Sequence, residues 1–313
     1  MAGSGQAAVV RDKILANRLG SLCLTLALAV WGGGCAGVGA GRKSPRAVPL
    51  RGTFGTYDAA PRQADGRVDV GRLTGELEVL RANTYNWLIW HAPTDWEDLQ
   101  RFLPRAREKQ IRVWVTLVPP SESPPRTKNY SEPFRLDYER WAVEIAQLSL
   151  REPNLVAWSL DDFSHNTRTF APAYLRRVLE AARQINPKLA FVPCCYYRHV
   201  TPAFAETYRP WVDGVLFPYR NESGEMNLQN SGAVESEVSR LKELFGREVP
   251  VFVDVYATKH SRLNDSTPQY VREVMTAARR CADGVLVYCH QNEATSPEKH
   301  GVIKELFHEW SRQ

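Results

Sequence analysis

The sequence predicts an α/β fold, a (β/α)8 TIM barrel preceded by a signal peptide and a short linker. Three features carry the prediction. Short β-rich runs alternate with amphipathic stretches from Gly52 to the end of the chain, the pattern of parallel strands joined by crossover helices. The runs are near-continuously apolar, as strands buried on both faces must be. Eight such units fit within residues 51–313, close to the roughly 250 residues of a closed barrel.

The eight predicted strands are RGTFGTYDA (51–59), TYNWLIWHA (84–92), IRVWVTLVP (111–119), LVAWSLDDF (155–163), LAFVPCCYY (189–197), DGVLFPYRN (213–221), VPVFVDVYA (249–257) and DGVLVYCHQ (283–291). Between them, segments such as VGRLTGELEVLRA, DYERWAVEIAQLSLRE and PQYVREVMTAARRC place apolar residues three and four apart, which makes helices with one buried face. AFAETYRPW, between strands five and six, is the shortest of them, and HGVIKELFHEWSR closes the chain. Strands six and eight begin alike, with Asp213-Gly214-Val215-Leu216 and Asp283-Gly284-Val285-Leu286. An open doubly wound sheet is the alternative, but no Gly-rich phosphate loop follows the first strand.

Ahead of the barrel, Arg11, Lys13 and Arg18 precede an apolar run from Leu19 to Trp31, followed by Gly32, Gly33, Gly34 and Cys35. A basic start, a short apolar middle and small residues describe a secretory signal, and the run is shorter than the ~20 residues of a spanning helix. The segment resembles a bacterial lipoprotein signal, which implies lipidation of Cys35 and a membrane attachment through that anchor alone, with Gly32 where such signals carry leucine. An ordinary cleaved signal is the alternative. Residues 1–34 are thus expected to be the signal, 35–50 a flexible tether and 51–313 the barrel. The formal charge of +5 is partly in the leader and forms no basic stripe, so nucleic acid is not an expected partner. Cys194, Cys195, Cys281 and Cys289 make neither a disulfide framework nor a zinc pattern, and no cofactor is implied.

A closed barrel carries its site at the carboxyl ends of the strands. There the sequence offers Tyr57 and Asp58, Trp90 and His91, Asp161 and Asp162 with His165 and Asn166, Tyr197, Tyr219 with Arg220 and Asn221, Asp254 and Tyr256, and Tyr288 with His290 and Gln291. Two adjacent carboxylates closing an apolar strand are the sharpest feature. If both turn to the mouth, mutual repulsion raises one pKa and leaves a protonated acid beside an ionised carboxylate, the pairing that glycoside cleavage needs. Tyrosines and Trp90 would supply flat faces for sugar rings, and amide, hydroxyl and guanidinium groups would satisfy sugar hydroxyls.

The fourth-strand Leu160-Asp161-Asp162-Phe163 resembles the paired-aspartate motif of O-GlcNAcase and related β-N-acetylglucosaminidase barrels. Gly52–Tyr57 (GTFGTY) is similar to their first-strand Gly-Phe-Tyr-Gly segment, and Phe191-Val192-Pro193 with Tyr196 to their fifth-strand Pro-x-x-Tyr segment. The resemblance implies that the substrate's acetamido oxygen is the nucleophile, oriented by Asp161, with Asp162 as acid/base. Two positions depart: Asp254-Val255 replaces an Asp-Asn pair, and Cys195 replaces an acidic residue. The chain is also similar to glycoside-hydrolase-like bacterial barrels as a group. The expected function is an extracytoplasmic glycoside hydrolase with Asp161, Asp162 and Asp254 as its carboxylates. A surface barrel that binds carbohydrate without cleaving it, and a metal-dependent hydrolase using Asp161, Asp162, His165 and Asp254, are the alternatives; no metal-ligand spacing identifies an ion.

Overall fold

The computed structural model describes residues 44–313. The leader, Cys35 and most of the expected tether lie outside the described residues. Strands β1 (Thr53–Tyr57), β2 (Thr84–Ile89), β3 (Arg112–Leu117), β4 (Leu155–Leu160), β5 (Ala190–Phe191), β6 (Val215–Tyr219), β7 (Val251–Tyr256) and β8 (Gly284–Tyr288) each lead to a helix. These are α1 (Val70–Leu80), α2 (Asp95–Glu108), α3 (Tyr138–Arg151), α4 (Pro172–Ile185), α5 (Pro202–Tyr208), α6 (Val234–Phe245), α7 (Pro268–Cys281) and α8 (Pro297–Trp310). All strand pairs of the sheet are parallel, in the spatial order β5-β4-β3-β2-β1-β8-β7-β6. Its two ends meet through a bridge between Cys194 and Leu216, where Leu216 N donates to Pro193 O at 3.0 Å and Cys195 N to Leu216 O at 2.8 Å. β5 is far shorter than the predicted 189–197 because Pro193 has no N–H to give a ladder. No helix of the described residues is long and apolar enough to cross a membrane.

Local chemistry fixes the helix starts. Asp69, Asp137, Thr201 and Thr267 accept the N–H of the residue three positions on, satisfying an otherwise orphaned donor. Proline opens α4, α5, α7 and α8, where its missing N–H costs nothing. Because side chains alternate across a strand, each strand feeds two cores. Val113, Val115, Val251, Val253 and Val255 face outward into the layer beneath the helices. Leu88, Trp114, Leu216, Phe252 and Leu286 face inward and fill the barrel, with the Trp114 and Phe252 rings edge to face at 4.9 Å. Residues 45–50, expected at the end of the tether, form a short 3-10 helix that delivers Leu50, fully buried, into this interior cluster. Its apolar side chain is what ties the segment to the barrel.

The two Asp-Gly repeats do one job twice at the amino-terminal end. Asp213 accepts the N–H of Phe191 at 3.0 Å, next to β6 in the ring, while pairing with Arg46 at 2.8 Å and Arg183 at 3.3 Å. Asp283 accepts the N–H of Val251 at 3.1 Å and pairs with Lys242 at 2.9 Å and with Arg51. Gly284 follows because a Cβ there would lie 2.7 Å from Thr53 O. Each carboxylate therefore stitches the starts of two neighbouring strands and holds two cations. Asp213→Ala leaves Arg46, Arg183 and a buried strand N–H without their acceptor, and is expected to lower unfolding free energy by about 3 kcal/mol. Urea unfolding would measure it, and a loss under about 1 kcal/mol would show that the stitch is dispensable.

Candidate active site

At the opposite end the strands open into a cavity of about 1270 Å3. Inward alternation brings Tyr57, Asp161, Arg220, Asp254 and Tyr288 to its wall. Asp162, one residue on, would face outward on a straight strand. It instead adopts a left-handed conformation, φ 45° and ψ 28°, which aspartate tolerates better than most residues and which turns its side chain back to the mouth.

The two carboxyls meet unlike surroundings. The N–H of Asp162 donates to Asp161 Oδ1 at 3.0 Å. Burial, followed by the charge of Asp162, pushes the Asp161 carboxyl well above the usual carboxylate range. Burial acts the same way on Asp162, but His165 and Tyr196 overcome it and hold that group below its ordinary value. Tyr196 donates its hydroxyl to Asp162 Oδ1 at 2.6 Å, and His165 Nδ1 lies 3.5 Å from Oδ2 while stacking on the Tyr196 ring at 4.5 Å. The Arg220 guanidinium sits 4.0 Å over the centre of the Tyr196 ring and pairs with Glu222. Burial and the neighbouring Asp162 also raise Glu122. Deeper in, Asp254 is buried, is pushed up by burial and by Asp161, and its Oδ1 has no partner among the described residues. Tyr57 OH is likewise buried and unpartnered.

Of the residues singled out in the sequence, Tyr57, Trp90, Asp161, Asp162, His165, Asn166, Arg220, Asp254, Tyr256 and Tyr288 line the cavity. The others do not, for reasons set by alternation and turns. Tyr219 faces the outer core, where its hydroxyl donates to Asn230 O at 2.8 Å. His290 is buried between Thr56 Oγ1 at 3.0 Å and Glu76 Oε2 at 2.9 Å, on the outer side of β1. Asp58 and His91 hold each other at 2.6 Å. Tyr197 packs on the outer core, Asn221 closes a turn through Glu225 O, and Gln291 bonds Cys289 O. Cys195 and Val255, the two departures from the O-GlcNAcase pattern, both lie in the outer core.

Glu122 escaped the sequence reading because it stands in the long β3–α3 loop rather than at a strand end. Loop length was its only signal, since long structureless connections in compact domains are usually functional. Tyr196, noted in the sequence only within the Pro-x-x-Tyr likeness, and Cys194 continue the inward phase of Ala190 and Val192 past Pro193, so counting by two along β5 was the signal that could have found both. Asp161, Asp162 and Cys194 each offer an atom within 4.8 Å of the others, so the same corner could hold a cation. Burial, first, and the nearby aspartates keep the Cys194 thiol protonated, which is not the state that ligates metal.

Fold and mouth together define a (β/α)8 barrel with an acidic, aromatic-walled site at the carboxyl ends of its strands. No sequence-family model matches the chain, and no curated protein matches its sequence. Among solved structures it is similar to a β-D-glucuronidase of Dictyoglomus thermophilum (TM-score 0.51, 16% identity, 83% of this chain and 50% of that one). It is also similar to GH5_18 from Streptomyces cattleya in complex with GlcNAc (TM-score 0.55, 12% identity, 78% and 76%). A third likeness is a putative α-L-fucosidase of Bacteroides thetaiotaomicron (TM-score 0.54, 10% identity, 83% and 95%). The chain spans half the length of the glucuronidase. At these identities the likeness establishes the fold, one shared with glycoside hydrolases.

The raised carboxyl of Asp161 has a consequence for stability. A carboxyl whose pKa is higher in the folded than in the unfolded protein favours folding at low pH and loses that advantage as pH rises toward its folded value. Asp161→Asn removes the penalty. The variant is expected to gain stability relative to wild type as pH rises from about 4, the ordinary carboxyl value, to about 8, to which burial pushes Asp161, read as the difference in urea midpoints across pH. A constant difference would mean that Asp161 ionises normally.

Proposed function

We propose that the protein is a glycoside hydrolase in which Asp161 is the proton donor and Asp162 the ionised carboxylate facing the sugar's anomeric carbon. The observation that carries this reading is the opposite displacement of two adjacent carboxyls in one cavity. A half-buried, protonated Asp161 can give its proton to the leaving glycosidic oxygen. Asp162, held ionised by the short bond from Tyr196, stabilises the positive charge that grows at carbon as the bond breaks. This reverses the roles implied by the O-GlcNAcase resemblance, in which Asp162 is the acid/base. Asp254, buried and unpartnered beneath them, is placed to receive a substrate hydroxyl. The leader and Cys35 favour action outside the cytoplasm, with the enzyme tethered by lipid.

One oxygen of each carboxyl lies within 4.8 Å of the other, short of the roughly 6.5–9.5 Å that leaves room for a water on the far face of the sugar. Asp162 then attacks the anomeric carbon as Asp161 protonates the departing oxygen, and water deprotonated by Asp161 cleaves the glycosyl ester to release sugar and restore both carboxyls. Hydrolysis is therefore expected to retain anomeric configuration, as proton NMR of the first-formed product reports, and net inversion would detach the pair from the reaction. On a panel of aryl glycosides, Asp161→Asn and Asp162→Asn should each lower kcat/KM by about 10²–10⁴-fold. Activity should need Asp162 ionised and Asp161 protonated, giving a bell-shaped pH profile, and Tyr196→Phe should shift its acidic limb upward because Asp162 loses a donor. Equal turnover by wild type and Asp161→Asn would remove the proposed acid. Two other readings have distinct outcomes. Glycan binding without turnover would make this a carbohydrate-binding barrel. The Asp161, Asp162 and Cys194 corner favours testing a metal-dependent hydrolase, which stoichiometric metal in the purified protein and loss of activity with chelator would support.

A further inference from the structure

We propose that the cavity takes an anionic glycan, whose carboxylate or sulfate groups are gripped by arginine and lysine side chains at the mouth. The inference rests on reading the cavity as a carbohydrate cleft and adds its substrate class. Arg126, Arg168, Lys259 and Arg262 all line the cavity and are exposed. Among the described residues none of the four side chains makes an ion pair or hydrogen bond, whereas Arg220 is paired with Glu222 and Arg198 is taken up by the carbonyls of Glu222 and Gly224.

The four come from three separate loops. Arg126 is in the β3–α3 connection, Arg168 in the β4–α4 connection, and Lys259 and Arg262 in a small hairpin after β7. That hairpin pairs Lys259 with Asp265 and His260 with Asn264 in antiparallel register, and Lys299 braces it through Asp265 at 2.7 Å. Convergence of unpaired cations from three loops on one opening is a recognition pattern for several acidic groups along a chain. Guanidinium groups match carboxylate and sulfate geometry through paired N–H donors.

The acids of the cavity do not cancel this charge. Glu222 is committed to Arg220, burial pushes Asp161 and Asp254 toward their neutral forms, and the four cations outnumber the remaining Glu122 and Asp162. The charge that remains deep in the site, on Asp162, repels anions. Acidic groups therefore belong at the rim, and an uncharged anomeric centre belongs at depth. Polynucleotides would bring a charge on every linkage, including the one pressed against Asp162, so the glycan is favoured.

The test is binding by calorimetry to Asp161→Asn, which leaves the ligand intact, with wild-type turnover followed in parallel. The probes are a short oligouronide, its carboxyl-reduced neutral counterpart, a sulfated oligosaccharide and a single-stranded oligonucleotide. An acidic oligosaccharide is expected to bind at least about tenfold tighter than the neutral one, with an advantage that shrinks as salt rises. Which acidic probe wins identifies the carboxylate or the sulfate as the source. Adding Arg126→Ala and Arg262→Ala should remove the advantage without moving the melting temperature, while Arg176→Ala, an exposed cation on α4 away from the cavity, should keep it. Equal binding of the neutral probe, no binding of any probe, equal binding of the oligonucleotide, or full affinity in the double arginine variant would each overturn the proposal. Acidic binding without wild-type turnover would retain it and reject the hydrolase; turnover of neutral glycosides without acidic preference would do the opposite.

Discussion

Consecutive side chains on a β-strand point to opposite faces, and in a closed barrel those faces are a packed interior and a layer of helices. Two neighbouring residues can share the mouth only where the strand stops being a strand. Here that happens at Asp162, whose left-handed backbone turns it to the same side as Asp161. Such a conformation costs a non-glycine residue on the order of 1–3 kcal/mol and persists because its surroundings insist on it. Phe163 is locked into the outer core, the Asp162 N–H is claimed by Asp161, and the carboxylate is claimed by Tyr196. Each of those contacts disappears if the turn relaxes. The opposite charge states of the two acids follow from the same kink, which leaves one carboxyl deep among other acids and lifts its neighbour to a phenol and an imidazole.

The rest of the barrel grades along its axis in a way that serves this corner. The closed end is apolar and stitched, with Leu50, Trp114 and Phe252 filling it and Asp213 and Asp283 fastening strand starts. Above it, polar side chains appear on inward positions: Thr116 donates to Asn86 at 2.8 Å, and Asp254 follows on β7. The mouth is charged and aromatic. Rigidity at the closed end matters because a site assembled from several strands is only as well placed as the strands' mutual register. The β5–β6 seam is the thinnest part of the ring, and it lies directly beside Cys194 and Tyr196.

The fold was legible because it repeats. Eight apolar runs separated by amphipathic segments leave few ways to arrange a chain of this length, and the helix caps and prolines mark the starts. The site was most legible where a strand's inward residues run on to its end, as for Tyr57, Asp161, Asp254 and Tyr288; Asp162, His165 and Asn166 were found from composition alone, since they follow the strand in a turn. Tyr219 and His290 were misplaced because composition at a strand end does not say which face a residue takes, and a one-residue change of phase reverses every side chain. Glu122 and the mouth cations belong to loops, whose paths depend on what they pack against. Phase also bears on the two positions where the chain departs from the O-GlcNAcase pattern. Cys195 and Val255 point away from the cavity into the outer core, while their neighbours Cys194 and Asp254 lie beside Asp161 and on the cavity wall.

Rim and floor divide the electrostatic work by depth. A guanidinium in water, such as those of Arg126 and Arg262, has its field damped within about 8–10 Å at physiological salt, too weakly felt at the floor to draw the proton from Asp161. The acids below interact through protein rather than through solvent, where the same separation carries several times the energy. The mouth can therefore be positive enough to capture an acidic ligand while the floor keeps one carboxyl protonated. Were the cations set among the acids, they would ionise Asp161 and remove the proton it holds in reserve. Keeping them on loops, apart from the strands that carry the carboxyls, is what allows attraction of the ligand and retention of that proton in a single cavity.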